Sequence, residues 1–191
     1  MILIEPYSDR WPGQFAEIAA RLRSLLGDRA VRIDHIGSTA VPGLAAKPVI
    51  DVQVTVRELA DADRLVGAGF DEKVGFWDHR PPGAEDHRPP GADGPDADWR
   101  KRFFNPATGR ANIHVRVVGR PNQRYPLLFR DYLRAHPDAA RAYEELKRGL
   151  ARHLPDIGTY TDVKDPACDL IAIAAEAWAA ETGWDSGSSD A

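Results

Sequence analysis

Cysteine is almost absent from this 191-residue chain, in which Cys168 stands alone. No internal disulfide can form, and a zinc site built from several cysteines is excluded. The chain also lacks a long apolar run, because the stretch from Ala167 to Ala180 is interrupted by Asp169 and Glu176 and is too short to cross a bilayer. The first ten residues, MILIEPYSDR, carry neither the basic flank nor the apolar core of a signal peptide. We therefore expect a cytoplasmic protein with no membrane partner.

An overall excess of positive charge is also missing, because 25 basic residues face 29 acidic ones and the net charge is −4. A generally basic nucleic-acid-binding protein is therefore not indicated. The basic residues are nevertheless concentrated, since nine of them and a single acid lie between Arg100 and Arg134. This segment predicts either pairing with the acidic remainder of the chain or an anion-binding cleft that Arg116 joins.

Hydrophobic spacing predicts one helix followed by a sheet and then more helices. The predicted elements are a helix at about 11–26, strands at Val31–Ile36, Val49–Val56, Phe70–Trp77, Arg102–Asn105 and Asn112–Val118, and a short helix at Glu58–Ala68. Residues 123–182 form the helical part, with Pro126, Pro137, Pro155 and Pro166 at or near helix starts. This order favours an α/β (α+β) fold, with helices around one sheet and a helical C-terminal segment. We predict a single domain over residues 1–182 and a disordered tail at 183–191.

Residues 78–98 interrupt this pattern with a small duplication. The heptapeptide DHRPPGA occurs at Asp78–Ala84 and again at Asp86–Ala92. Proline removes backbone donors and glycine adds chain entropy, so this composition predicts a flexible surface insertion. His79 and His87 could bind a metal there, but a flexible loop offers no preorganised ligand geometry, and a solvated loop is the favoured interpretation.

The segment VRIDHIGSTAVPGLAAKPVIDVQV, residues 31–54, holds the densest set of candidate functional residues. A predicted strand ends at Ile36, and Gly37, Ser38 and Thr39 follow at once, where glycine allows close approach of the backbone and hydroxyls can bind a phosphate. The next strand brings Asp51, and a carboxylate beside such a turn is what Mg²⁺ needs to bridge protein and phosphates. The same residues also fit a tight turn that Asp51 merely hydrogen-bonds.

These residues resemble the signature of the GrpB family, which reads approximately H-I-G-S-T-x-V-P-G-L-x-x-K-P-I-I-D. The segment from His35 to Asp51 matches it, and YSDRWP, NIHVRV, LLFRDYLRAHP and YTDVK match further parts of the family. The family is similar in fold to nucleotidyltransferases, so the resemblance implies a nucleotidyltransferase-like mixed sheet. It also implies that Gly37 and Ser38 hold phosphate and that Asp51 is the first Mg²⁺ ligand.

The chain departs from active nucleotidyltransferases, in which two carboxylates spaced Asp-x-Asp and a third from a later strand hold two Mg²⁺ ions. Gln53 stands at the second position, and the later strand offers Asn112, His114 and Arg116, none of them a carboxylate. One aspartate does not suffice to hold two ions. The resemblance therefore favours a protein that binds a nucleotide or other phosphate-bearing ligand. Two interpretations stay open: a divergent Mg²⁺-dependent nucleotidyltransferase, and a non-catalytic module that binds an anion or a protein.

Several individual residues each allow a functional and a structural interpretation. His35 and His114 are candidate catalytic residues with Asp51, as general bases or phosphate contacts, or else packed histidines. Lys47 is a candidate phosphate contact, like Thr39 and Arg116, or else a solvated loop lysine. The expected partner is a nucleotide or another anionic small molecule, and RNA is less favoured.

The C-terminal part, YTDVKDPACDLIAIAAEAWAAETGW, also resembles the GrpB-like domain that follows the kinase in some actinobacterial dephospho-CoA kinases. No P-loop of the form G-x-x-x-x-G-K-[ST] occurs anywhere in the chain. Dephospho-CoA kinase activity is therefore not expected of this chain, and coenzyme A metabolism is only a secondary expectation.

Overall fold

The computed structural model describes residues 2–73, 86–107 and 109–191. Within them the main elements are α1 (Trp11–Leu26), β1 (Ala30–Ile36), β2 (Ile50–Val56), β3 (Phe70–Glu72), β4 (Arg102–Pro106), β5 (Ala111–Val117), α2 (Pro121–Ala135), α3 (Pro137–His153) and α4 (Ile157–Thr182). None of the helices in these ranges combines the length and the apolar character needed to cross a membrane.

The strands form one mixed sheet in the order β1-β2-β5-β4-β3. The central strands β2 and β5 are parallel, and every other neighbouring pair is antiparallel. The register places Asp51 of β2 between Ile36 of β1 and Asn112 of β5. Because cross-strand partners share a face and successive residues alternate, His35 and Val52 point to the opposite face from Asp51.

One face of the sheet is apolar and packs against α1. Phe15, Ala19, Leu22 and Leu26 recur at helical spacing and are buried there. Their partners are the apolar side chains of the strands, including Ile33, Val52, Val54, Ile113 and Val115. This cluster is the core on which the sheet is held.

The other face is polar and is turned toward the C-terminal helices. It carries Gln53, Thr55, His114 and Arg116, of which only His114 is more than slightly exposed. Nε2 of Gln53 donates a hydrogen bond of 2.8 Å to the backbone oxygen of Gln123 in α2. Polar side chains therefore link the sheet to the helical layer on the same face that carries Asp51.

The predicted mixed sheet with flanking helices and a helical C-terminal segment is confirmed. The short helix predicted at Glu58–Ala68 is a 3₁₀ helix over Leu59–Leu65. The third strand ends at Glu72, and residues 74–77 of its predicted range lie outside the described residues.

Two of the predicted helix starts are wrong. Pro126 lies inside α2, and Pro166 lies inside α4. Pro121 already occupies the first turn of α2, where a missing backbone donor costs nothing, so this helix begins five residues before Pro126. Packing of α2 and α4 on each other and on the domain keeps both helices continuous through a proline that local propensity disfavours.

Part of the predicted insertion lies outside the described residues, namely 78–85 with His79 and the whole first heptapeptide copy. The second copy begins with Asp86, which is buried against β5, and with His87, whose Nε2 lies 2.6 Å from Oδ1 of Asp169 in α4. The interpretation as a solvated loop therefore does not describe these two residues, because the sheet and α4 supply them with partners. Flexibility of the insertion as a whole stays a prediction.

The tail was predicted to be disordered, and that too stays a prediction. In the structure Trp184 packs beside Leu128 of α2, and Ser189 hydrogen-bonds the backbone of Ile33 in β1. The chain after α4 thus returns to the first strand.

Candidate anion-binding site

Asp51 lies at the start of β2 on the polar face, with 28% of its side chain exposed. Oδ1 accepts a 2.8 Å hydrogen bond from Nδ2 of Asn112 on β5. Nδ2 of Asn105 on β4 donates in turn to Oδ1 of Asn112 at 3.0 Å. This relay across three strands fixes the orientation of a carboxylate that is still accessible.

Gly37 packs directly on this carboxylate. Its φ is 70°, a backbone conformation that favours glycine, and a Cβ added there would overlap Oδ2 of Asp51. Ser38 follows in a short 3₁₀ turn, Ser38–Ala40, and is half-buried. The structure therefore brings Gly37, Ser38 and Asp51 of the motif together at the end of β1.

The polar neighbours of Asp51 favour its ionised form. Burial opposes ionisation, but the interactions with His114, Asn112 and Lys47 outweigh it and hold the pKa of Asp51 below its ordinary value. His114 Nε2 is 3.9 Å from Oδ1 of Asp51, beyond hydrogen-bond distance, and burial lowers the pKa of His114 to about 4. At neutral pH the site thus combines a carboxylate with a neutral imidazole.

Lys47 supplies the positive charge beside Asp51. Its Nζ lies 5.4 Å from the centre of the Tyr160 ring of α4, so the side chain bridges the motif loop and the helical layer. Burial lowers the pKa of Lys47, and the neighbouring Asp51 counteracts this effect. Among the alternatives for Lys47, the solvated loop lysine does not describe this half-buried position.

Lys164 on α4 was not identified as a site residue from the sequence. Burial and the neighbouring charges set the pKa of Lys47, and the charge of Lys164 contributes to its lowering. Nζ of Lys164 lies 3.4 Å from Sγ of the buried Cys168 and 3.2 Å from Oδ1 of Asp165. The sequence signal that could have identified Lys164 is its position in YTDVK, a segment that matches the GrpB family but suggested no role for this lysine.

Arg116, expected to line an anion cleft, is buried and already neutralised. Its Nε lies 2.6 Å from Oδ2 of Asp86, and its Nη1 donates to Oε1 of Gln53 at 2.9 Å. Nζ of Lys101 contacts the other oxygen of Asp86 at 2.5 Å. Burial opposes ionisation of Asp86, yet Arg116 and Lys101 hold its pKa well below the usual range. The carboxylate of the insertion therefore occupies the position that an anionic ligand of Arg116 would need.

Internal pairing accounts for most of the basic segment. Seven of its nine cations contact carboxylates: Lys101, Arg102, Arg116, Arg120, Arg124, Arg130 and Arg134. Of the two interpretations offered by the sequence, the structure thus shows pairing with the acidic remainder for six of these cations, whereas Arg134 contacts Asp131 within the segment itself.

His35 and Thr39 lie away from Asp51, on the α1 side of the sheet. Nε2 of His35 is 2.9 Å from Oγ1 of Thr39, and the imidazole stacks on Phe15 with ring centres 4.8 Å apart. Burial lowers the pKa of His35 to about 4. Both residues line a cavity of about 470 Å³ between α1, the motif loop and the tail, which is separate from the Asp51 site. Packing explains His35 better than a role as general base for chemistry at Asp51.

The donor set does not fit a two-metal centre. Among the described residues, no group of three or more His, Cys, Asp or Glu side chains could hold a metal ion. Gln53 is fully buried, and both ends of its amide are engaged by Arg116 and α2. The nearby acids Asp34 and Glu72 are paired with arginines of their own. Asp51 is left as the one accessible carboxylate of the motif.

Comparisons with known proteins find similarity along most of the chain. A family model described as GrpB protein matches residues 1–172. The dephospho-CoA kinase of Mycolicibacterium paratuberculosis is 40% identical over 195 residues, which cover 96% of this chain and 48% of that protein. The UPF0157 protein BH1888 of Halalkalibacterium halodurans is 36% identical over 179 residues, covering 92% of this chain and 83% of that protein.

A solved structure shows the same likeness. The conserved protein GrpB from Enterococcus faecalis superimposes with a TM-score of 0.72 and 29% sequence identity, covering 92% of this chain and 99% of that one. The chain spans about half the length of the dephospho-CoA kinases it matches.

Proposed function

The chain belongs to the GrpB family, and on that premise we propose that it binds a nucleotide or another phosphate-bearing ligand at Asp51. One observation carries the proposal. The ionised and partly exposed carboxylate of Asp51 is held by Asn112 and lies against Gly37, where no side chain would fit. An accessible carboxylate oriented in this way has spare acceptor capacity that the protein itself does not use.

Positive charge on the facing helical layer supports a phosphate rather than a neutral ligand. Lys47 and Lys164 lie within charge–charge range of each other, and Lys47 lies within range of Asp51. Asp51 and Asp165, whose Oδ1 lies 3.2 Å from Nζ of Lys164, balance the charges of these two ammonium groups. A phosphate group bound here would accept charge-assisted hydrogen bonds from the ammonium groups.

The proposal includes Mg²⁺ only as a single bound ion. Mg²⁺ is commonly held by one or two carboxylates together with the phosphates of a ligand, so Asp51 would provide the protein's ligand to a single ion. A transfer reaction is not part of the proposal, because the second carboxylate position is the buried Gln53.

The test measures the melting temperature with ATP, coenzyme A or a short RNA, each with Mg²⁺ and with a chelator in its place. Asp51→Asn keeps the shape of the side chain and the hydrogen bond to Asn112 but removes the charge. Asp71→Asn on β3, an exposed position, is the matched control. A ligand that binds the folded state raises the melting temperature by mass action.

We expect ATP or coenzyme A with Mg²⁺ to raise the melting temperature of the parent protein and of Asp71→Asn, but not of Asp51→Asn. An equal rise in Asp51→Asn would remove Asp51 from the site. Coenzyme A is one of the ligands tested because several relatives are named dephospho-CoA kinase. A response to RNA alone would contradict the small-ligand proposal.

A further inference from the structure

The outer edge of β1 is occupied by the tail of the chain. β1 is the first strand of the sheet, so its backbone groups on one side have no neighbouring strand. The amide of Ile33 donates to Oγ of Ser189, and the amide of His35 donates to Oδ2 of Asp190, both at 2.9 Å. The carbonyl of Ile33 accepts from the amide of Ala191 at 3.1 Å. The tail thus satisfies edge groups that a further strand would otherwise use.

Arginines flank this edge and bind the tail. Arg130 of α2 is buried, with 4% of its side chain exposed. Its Nη1 lies 2.8 Å from Oδ2 of Asp190 and donates to the carbonyl of His35 at 3.0 Å. Arg32 donates to Oγ of Ser186 at 2.8 Å and to the carbonyl of Ser188 at 3.3 Å. Arg130 thus binds the carboxylate of Asp190, and Arg32 binds a hydroxyl and a backbone carbonyl of the tail.

The surface that binds the tail lies within the family match, whereas residues 186–191 lie beyond it. Arg32, Ile33, His35 and Arg130 all lie within the part of the chain that matches the family, residues 1–172, and residues 186–191 lie beyond it. Residues 186–191 are Ser, Gly, Ser, Ser, Asp and Ala. Without a large apolar side chain, these six residues are held by hydrogen bonds and one ion pair, which another segment of similar chemistry can replace.

We propose that the edge of β1 is a docking site for an extended acidic segment of another protein, centred on a Ser-Asp pair. Such a segment would bind the edge backbone through its Ser hydroxyl, its Asp carboxylate and one backbone hydrogen bond, and would place that carboxylate on Arg130. Residues 186–191 then act as a competitor within the same chain. This site is separate from Asp51, so the proposal does not depend on the proposed ligand.

The experiment uses full-length protein and a fluorescent peptide of sequence Asp-Ser-Gly-Ser-Ser-Asp-Ala. Asp190→Ala removes the carboxylate that faces Arg130 and so weakens the competitor. Asp185→Ala is the matched control, because Asp185 accepts a hydrogen bond only from the amide of Gly187 among the described contacts. Hydrogen exchange at the amides of Ile33 and His35 reports directly on the edge.

We expect Asp190→Ala to bind the peptide at least tenfold more tightly than the parent protein or Asp185→Ala. The same substitution should speed exchange at Ile33 and His35, and the peptide should restore their protection. A peptide with Asn in place of its second Asp should bind at least tenfold more weakly. Tighter binding should disappear at high salt, as expected for an ion pair near the surface.

Three outcomes would overturn the proposal. Faster exchange without peptide binding would show that the tail only covers the edge. Equal binding of the Asp and Asn peptides would show that Arg130 does not select a carboxylate. Formation of dimers by the parent protein with exchanged tails would show that a second copy of this chain is the partner.

Discussion

Asp86 and Arg116 form a buried ion pair that ties the second heptapeptide copy to the centre of the sheet. Oδ2 of Asp86 lies 2.6 Å from Nε of Arg116, and both side chains are almost completely buried. Arg116 is paired in β5 with Thr55 of β2, so the contact is made on a central strand. A segment with the composition of a solvated loop thus provides the counter-charge for a buried arginine.

Replacing Asp86 by alanine should lower the free energy of unfolding by about 3–5 kcal/mol, because it leaves the charge of Arg116 buried without a partner. Urea-induced unfolding at neutral pH measures this change. Asp93→Ala in the same segment, at an exposed position, should change it by no more than about 0.5 kcal/mol. Similar values for the two variants would mean that Asp86 does not contribute to stability.

Gly37→Ala should be more destabilising than Gly43→Ala. Both glycines have a positive φ, 70° and 79°, so each substitution costs about 1–2 kcal/mol of backbone strain. Only at Gly37 does the added Cβ also displace Asp51, whereas no atom lies within 4 Å at Gly43. Thermal unfolding with and without ATP and Mg²⁺ should show an extra loss of stability, and loss of the ligand response, in Gly37→Ala alone. Equal behaviour of the two variants would contradict the contact with Asp51.

Stability should decrease as the pH falls below about 6.5. Burial lowers the pKa of His35 and of His114 to about 4, so the unfolded chain takes up protons at a higher pH than the folded one. The stability that these neutral histidines confer is present above pH 6.5 and is lost as the pH falls to about 4. The loss amounts to about 3 kcal/mol for each histidine.

Chemical unfolding at pH 7 and pH 5 checks this pH dependence. His35→Gln removes one titrating group and should reduce the dependence, whereas His153→Gln, at an exposed position on α3, should leave it unchanged. An undiminished dependence in His35→Gln would show that His35 titrates alike in the folded and unfolded states.

Restoring a carboxylate at position 53 should not create a metal site. Gln53→Asp shortens a fully buried side chain, removes the donor to the carbonyl of Gln123 and places a second acid beside the pair of Arg116 and Asp86. We expect a loss of at least about 2 kcal/mol in unfolding free energy. We also expect no added Mg²⁺ response of the melting temperature.

Gln53→Glu is the matched comparison, because its longer chain keeps an oxygen at Arg116. It should lose less stability than Gln53→Asp. A new Mg²⁺ response in Gln53→Asp would revive a two-carboxylate centre and with it the transferase interpretation.

The sequence predicted the sheet well because its strands depend on local patterns, whereas the roles of Gly37 and Asp51 came from the family resemblance. Alternation of apolar residues fixed the strands, and the turn residues after Ile36 fixed where β1 ends. The sequence could not show that His35 lies on the opposite face of β1 from the Asp51 side chain, because closeness in the motif does not reveal the face of a strand. The cross-strand register, which pairs His35 with Val52, is a tertiary property.

The contacts of Arg116 and Lys164 could not be read from the sequence for a related reason. The partner of Arg116 is Asp86, thirty residues earlier in a segment rich in proline and glycine, where composition predicts mobility. Lys164 reaches the site only because α4 packs near the motif loop, which helical periodicity within α4 does not specify. Local sequence patterns indicate which residues are polar but not which of them contact each other in the folded protein.

The parallel pairing of β2 with β5 has a consequence for how the protein folds. Asp51 and Asn112, joined by a hydrogen bond, are 61 residues apart, so a long crossover must close before the site exists. Contacts of such large sequence separation form slowly. The entropy of closing a loop rises only with the logarithm of its length, and a repeated heptapeptide within that crossover adds roughly 0.1–0.2 kcal/mol to a closure of this size. The crossover is therefore the part of the chain in which a duplication could become established with little effect on the rate at which Asp51 meets its partners.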